Sequence, residues 1–135
     1  MKRRTFKIDF HKDSAHWVSV VLHSSRAVMR RALNTRAGYD ASNTNACCWQ
    51  AGKVGSDSCI AEIHFGRDFL TLDTIVHEST HAAYHRAFVM GVKKDADNFQ
   101  EWVASDAGIV AERIVALFDQ ARIPIRYECV KRRLL

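Results

Sequence analysis

The chain has one proline and six glycines in 135 residues, too few for a proline-rich, collagen-like or linker-dominated protein. It has no apolar run approaching about 18 residues, so no membrane-crossing helix and no membrane partner are expected. Lys2-Arg3-Arg4 opens like a signal peptide, but the alternating Thr5-Phe6-Lys7-Ile8-Asp9 follows where an apolar segment is needed; a cytoplasmic address is the expectation. The four cysteines, Cys47, Cys48, Cys59 and Cys129, include no C-x-x-C pair. Their spacing matches neither a disulfide scaffold nor a zinc ribbon, so reduced and mostly buried thiols are expected. A second metal site from Cys47, Cys59 and His64 has only residue type in its favour.

The formal net charge is +5 and the pI near 9.2. Basic residues gather at Lys2-Arg3-Arg4, at Lys131-Arg132-Arg133 and along Arg26, Arg30 and Arg31, without interleaved aromatics or a recognised nucleic-acid motif. Solvated basic ends are the plainer reading, and nucleic acid is not an expected partner. With 47% hydrophobic and 26% charged residues, the chain reads as one ordinary globular domain over residues 1–135 with one modest core.

What the sequence does hold is the stretch Thr71 to Arg86, TLDTIVHESTHAAYHR, and within it His77-Glu78-Ser79-Thr80-His81. A helix brings residues four apart onto one face, with Cβ atoms roughly 5–6 Å apart. Two imidazoles so placed can both reach one zinc ion at about 2.0–2.1 Å. Glu78, one residue on from His77, points beside such an ion, where a base is needed to take a proton from an activated water. Leu72, Ile75, Val76, Ala82 and Ala83 supply an apolar stripe, and no Gly or Pro interrupts Leu70 to Met90. Thr71 suits an N-cap, Asp73 the first turn and Gly91 the stop.

Around that helix, Thr5 to Phe10 reads as a strand with Phe6, Ile8 and Phe10 on one face. A helix capped by Asp13 or Ser14 is expected to run to about Asn34, with Trp17, Val20, Val21, Val28 and Ala32 on its apolar face. Trp17 to Val21 alone also fits a strand. His11, His16 and His23 read as surface or satisfied polar residues. Ala37 to Ser58 is loop-rich, with a short strand at Cys47 to Gln50 turning back through Gly52 to Gly55, and with Tyr39 and Trp49 as packing or pocket residues. Cys59 to Phe65 reads as a strand whose edge could pair with an extended peptide, with Glu62 and His64 near the cleft or simply on a polar edge. Lys93 to Asn98 connects to a second long helix, capped by Asp97 or Asn98 and ending near Ala121, with Trp102, Ile109, Val110, Ile114, Leu117 and Phe118 buried. Ile125 to Val130 suggests a last strand beyond Pro124.

Two histidines do not complete a catalytic zinc site; three protein ligands and a water are usual, the third often a carboxylate. Glu101 lies 20 residues after His81, near the start of the second helix, which an antiparallel return can bring back over the pair. His85, one turn beyond His81, is the rival, but three ligands from His77 to His85 on one helix span about 12 Å at 1.5 Å per residue, too far for one ion.

HESTH followed by QEWVASD resembles the gluzincin branch of the zincin metallopeptidases. There H-E-x-x-H is followed by a glutamate ligand on a later helix, at this same interval in thermolysin-like members. The short format and the preceding AEIHF strand look closer to small phage- and prophage-encoded zinc peptidases and to ImmA/IrrE-like domains, over roughly Ala61 to Arg113. The resemblance implies an α+β, zincin-like fold: a small mixed or antiparallel sheet packed on the HExxH helix and on a second long helix carrying the third ligand. It implies Zn2+ held by His77, His81 and Glu101, Glu78 as general base, and a peptide or protein substrate. The family's aspartate four residues after the glutamate ligand, which orients a histidine, is Ser105 here. Asp106 comes one later, about 140° round the helix from Glu101 at about 100° per residue. Asp97 and Asp73, each four residues before a proposed ligand, lie on the ligand faces. His85 or Tyr84 could stabilise an oxyanion. Against a zinc metallopeptidase stand two other classes: a catalytically silent zinc-containing interaction or regulatory module of phage type, and a basic nucleic-acid-associated protein with an incidental motif.

Overall fold

The computed structural model describes residues 2–11, 15–36, 40–51 and 58–127. Its elements are β1 (Arg4–Asp9), β2 (Trp17–His23), α1 (Arg26–Asn34), β3 (Ala46–Gln50), β4 (Cys59–Gly66), α2 (Leu72–Val89) and α3 (Phe99–Gln120). The strands form one sheet in the order β1-β2-β4-β3. β1 and β3 run antiparallel to their neighbours, while β2 and β4 are parallel. The fold is therefore mixed α+β, and among the described residues no helix is long and apolar enough to cross a membrane.

The long first helix expected from the sequence is replaced by β2 and the shorter α1. Aromatic and β-branched residues crowd Trp17 to Val21 and favour extended backbone. Val18, Val20 and Leu22 drop into the core from one face, and the strand is bonded on both sides. Helix begins only after Ser25, whose Oγ accepts from Val28 N at 3.1 Å, while Asp68 Oδ1 accepts from Arg26 N at 2.7 Å. The expected caps Asp13 and Ser14 lie outside the described residues, as do Tyr39, Gly52 to Gly55, Cys129 and the basic C-terminal run.

β4 also differs from expectation. It is an interior strand, paired with β2 and β3 along its length, because both of its faces are buried, as is usual beside a parallel neighbour. Beside it, β3 is the outermost strand on that side among the described residues. The opposite edge, β1, carries Arg4 over the ring of Phe6 at 4.9 Å and Lys7 over Trp17 at 5.1 Å.

α2 starts at a capping box: Thr74 N donates to Thr71 Oγ1 at 3.1 Å and Thr71 N to Thr74 Oγ1 at 3.3 Å. It ends where Gly91 takes φ +69°, with Gly91 N donating to Phe88 O at 3.0 Å and Val92 N to Ala87 O at 2.9 Å. That double bond is a Schellman stop, and its left-handed residue suits glycine. Ile75, Ser79, Ala82, Ala83 and Arg86 face inward. Leu72 and Val76, placed in the apolar stripe by sequence, are 38% and 47% exposed, because α3 covers the side of Ala83 and Ala87 instead. α3 buries Val110, Ile114 and Phe118; the Phe118 ring sits edge-on to Phe6 at 5.8 Å and Phe65 at 6.1 Å, tying the helix to both halves of the sheet. Of the expected last strand, the described part makes a single parallel bridge from Arg126 to Thr71.

Gly66 is the contact on which the seating of α1 depends. A Cβ there would lie 2.4 Å from Arg26 N and 2.8 Å from Ser25 C, and backbone on both sides cannot step aside cheaply. Gly66→Ala is expected to cost about 1–3 kcal/mol, the usual range for overpacking, measured by urea unfolding. An unchanged midpoint would show that the α1 N-terminus shifts freely.

Candidate metal centre

The face of α2 that neither the sheet nor α3 covers carries His77 and His81. Their Nε2 atoms converge to 3.2 Å. Two nitrogens each about 2.05 Å from one ion, at a tetrahedral angle, lie roughly 3.3 Å apart, so the pair has the spacing that a shared zinc requires. Glu78 falls 100° further round, at the border with β3. Its carboxyl is buried, with Oε1 4.0 Å from His77 Nε2. Burial pushes its pKa up to about 6, against a smaller lowering by His77, which leaves a carboxylate at neutral pH with appreciable proton affinity. His81 is held below the ordinary imidazole value by burial and then by His77, which favours the neutral ring that can donate a lone pair.

β3 forms the facing wall. A cavity of about 330 Å³ lies between Thr44, Ala46 and Cys48 on that side and His77, Glu78 and His81 on the other. A second, about 250 Å³, adjoins it and brings Asn45 and Asp73 against His77 and Glu78. The Cys48 thiol is pushed up by burial and then by Glu78, so it meets the site as a neutral S–H. The Cys47, Cys59 and His64 grouping does not assemble. Cys47 and His64 are cross-strand partners, but Cys59 lies five residues from His64 along β4, roughly 17 Å in an extended strand.

The other proposed residues are placed as follows. Asp73 sits one turn before His77, at the smaller cavity. His85 is half-buried one turn after His81, its pKa lowered by burial and then by His81. Tyr84 is exposed, its ring 5.8 Å from that of Phe99. Asp97 is exposed in the turn before α3. Glu101 is exposed in the first turn of α3. It stands two residues from each of the buried Phe99 and Val103, so it points roughly 160–200° away from them. Among the described residues, no third His, Cys, Asp or Glu groups with the pair as a metal-holding set.

Asp106 has a different role from the histidine-orienting one considered for it. It shares the buried face of α3 with Val103 and Val110, and there its Oδ2 accepts from Arg86 Nη1 at 2.7 Å. His11 Nε2 lies 3.1 Å from its other oxygen, and Arg86 Nε donates to His16 Nδ1 at 3.2 Å. The Arg86 guanidinium also packs on the rings of Phe10 and Trp102, at 5.2 and 5.5 Å. This clasp joins α2, α3 and the β1–β2 end of the sheet, and its carboxylate is spoken for.

A second polar chain, on the α1 face of the sheet, was not expected from the sequence. His23 and His64 are 1% and 5% exposed, with His23 Nε2 2.8 Å from His64 Nδ1. His64 Nε2 bonds to Glu62, which also pairs with Arg36. A carboxylate only accepts, so His64 donates through Nε2 and receives from His23 at Nδ1, which keeps the His64 ring neutral. The alternation of β2 puts His23 on the same face as Val21, the only hint that it is buried.

Comparison with known protein families, with curated proteins and with solved structures finds no match to this chain.

The His23 imidazole is lowered to about 4 by burial, then by His64 and Arg3, against about 6.5 in an unfolded chain. The fold thus favours the neutral ring; the stabilisation is whole above about pH 7 and is lost as pH falls from 6.5 towards 4. The loss from this ring is expected to reach about 3 kcal/mol, read as the change in urea-unfolding free energy between pH 7 and pH 4. His23→Gln, which keeps a donor for His64, should flatten that slope, and an identical slope in the variant would assign it to other groups.

Proposed function

We propose that the chain is a zinc-dependent metallopeptidase that hydrolyses peptide bonds with Glu78 as general base. The observation that carries the reading is the convergence of the two Nε2 atoms to 3.2 Å beside a buried carboxylate, at a cavity walled by β3. His77 and His81 would hold the ion. Glu101 is the proposed third ligand, by the HESTH and QEWVASD resemblance to gluzincins, with Asp73, which shares a cavity with His77, as a partner that could orient that histidine. When bound, zinc supplies Lewis-acid polarisation of a carbonyl and acidification of water.

The chain's own residues supply the rest. The cavity between β3 and the His pair gives an extended peptide a place to lie across the pair. Glu78 takes the proton of the attacking water and hands it to the departing amine, acting as base and then acid. Cys48, apolar and neutral, helps keep bulk water from the inner side of that carboxylate.

A zinc-holding interaction module without catalysis is the second reading, favoured by the solvent-facing position of Glu101. Metal analysis and one variant separate the two. About one zinc per chain is expected, lost or much weakened in His81→Ala and in Glu101→Ala; zinc held as well in Glu101→Ala as in the wild type would remove Glu101 from the ligand set. Glu78→Gln should retain zinc and lose hydrolysis of a denatured protein substrate by at least about 10²-fold, the low end for general base catalysis. No zinc in the wild type after reconstitution would sink both readings.

A further inference from the structure

The two cavities at the histidine pair lie end to end along α2. The smaller meets Asp73, Thr74 and His77, with Asn45 and Ala46 opposite. The larger reaches His81, with Cys48 and Trp49 opposite. β3 and α2 therefore advance in the same direction along one groove. A chain that lies in the groove and passes His81 continues over the next turns of the helix.

Those turns carry two aromatic rings. Tyr84 comes seven residues after His77, and Phe88 seven after His81. Seven residues fall about 20° short of two full turns, so each ring stands almost in line with its histidine on the uncovered face of α2. Tyr84 is 46% and Phe88 51% exposed, while Ala83, Arg86, Ala87 and Val89 fill the buried side of the same turns. The Tyr84 ring is steadied by Phe99, with centroids 5.8 Å apart. Neither Tyr84 nor Phe88 takes part in the core clusters formed by the described residues. Large apolar side chains exposed together, and not needed by the core, mark a contact surface.

The spacing suits the side chains of an extended substrate. At about 1.5 Å per helical residue, Tyr84 stands roughly 7 Å and Phe88 roughly 13 Å along the axis beyond the midpoint of the pair. An extended chain advances about 3.3 Å per residue. A peptide whose carbonyl lies at the pair thus presents its side chains to these rings a few residues away.

We propose that Tyr84 and Phe88 form an aromatic subsite that selects peptide substrates with an aromatic or large aliphatic side chain roughly two to four residues to one side of the cleaved bond. The inference rests on the metallopeptidase reading for the reaction and adds to it the class of peptide, an extended apolar segment. Both rings act on specificity, and neither holds the metal or moves a proton.

The test uses the full-length protein, as the wild type and with both rings replaced, Tyr84→Ser with Phe88→Ser or Tyr84→Leu with Phe88→Leu. Unfolded casein is digested and the cut bonds are mapped by mass spectrometry; zinc content and molecular mass are read on the same samples. The wild type should cut where an aromatic or large aliphatic residue stands at a fixed position within that window. In the serine pair the preference should vanish and cutting at those bonds should slow by about tenfold, the lower end of what an apolar pocket discriminates, with zinc content unchanged. The leucine pair should restore most of the rate at bonds flanked by aliphatic residues, a selectivity that a general loss of stability would not show. A cut pattern unchanged in the serine pair overturns the proposal. A wild-type dimer that the serine pair splits, with the cut pattern kept, overturns it too. Failure of the wild type to take up zinc or to cut casein overturns the metallopeptidase reading instead. Polarisation of fluorescein-labelled casein then decides the subsite: binding about tenfold weaker in the serine pair supports it, and equal binding overturns it.

Discussion

The rotation of α2 about its own axis is the constraint on which the rest of the site depends. The helix is covered on two sides, by β3 and β4 beneath and by α3 alongside, and only one arc stays open. Which residues fall in that arc is decided by packing. Ala82, Ala83 and Ala87 are fully buried or nearly so, and side chains this small let neighbouring elements approach closely. With those alanines turned inward, the helical repeat leaves His77 and His81 no choice but the open arc and puts Glu78 at its inner border. A bulkier residue at Ala83 would roll the helix and move ligand and base positions together. The chemistry of the pair is local, but its aim is set by the core.

Much of this was legible in the sequence where the pattern was strong and the partners near. The α2 boundaries follow from Thr71 and Gly91, whose cap and stop bonds lie within a few residues of each. α3 follows from its apolar repeat, and β4 from its alternation. The mistaken long first helix shows where such reading stops. Trp17 to Val21 satisfies both a helical and a strand pattern, and only its pairing with β1 and β4, distant in sequence, decides between them. The edge position that the sequence suggests for β4 fails for the same reason: alternation tells which faces are buried but not which strand lies alongside. Glu101 is the instructive residue of the candidate site. Its interval from His81 fits a third ligand, yet burial of Phe99 and Val103 turns that position outward. Interval along the chain and rotation about the axis are separate quantities, and only the first is written in a motif.

The polar groups buried away from the His pair were illegible for another reason. Arg86 finds Asp106 twenty residues on and His16 seventy residues back, and His23 finds His64 across two strands. Each is unremarkable by itself, since a lone histidine or arginine is usually a surface residue. Together they form two closed polar networks on either side of the sheet. Each closes only when elements distant in the chain have docked, so each rewards the complete fold over partial ones.

The two outer strands of the described sheet differ in charge. β3, Ala46 to Gln50, carries none at all. On β1, Arg4 and Lys7 lie along the strand, and a second β1 approaching it would bring like charges together. Copies of the chain are therefore turned away from one another at that side, and the basic residues that cost the fold little also guard the sheet against extension there.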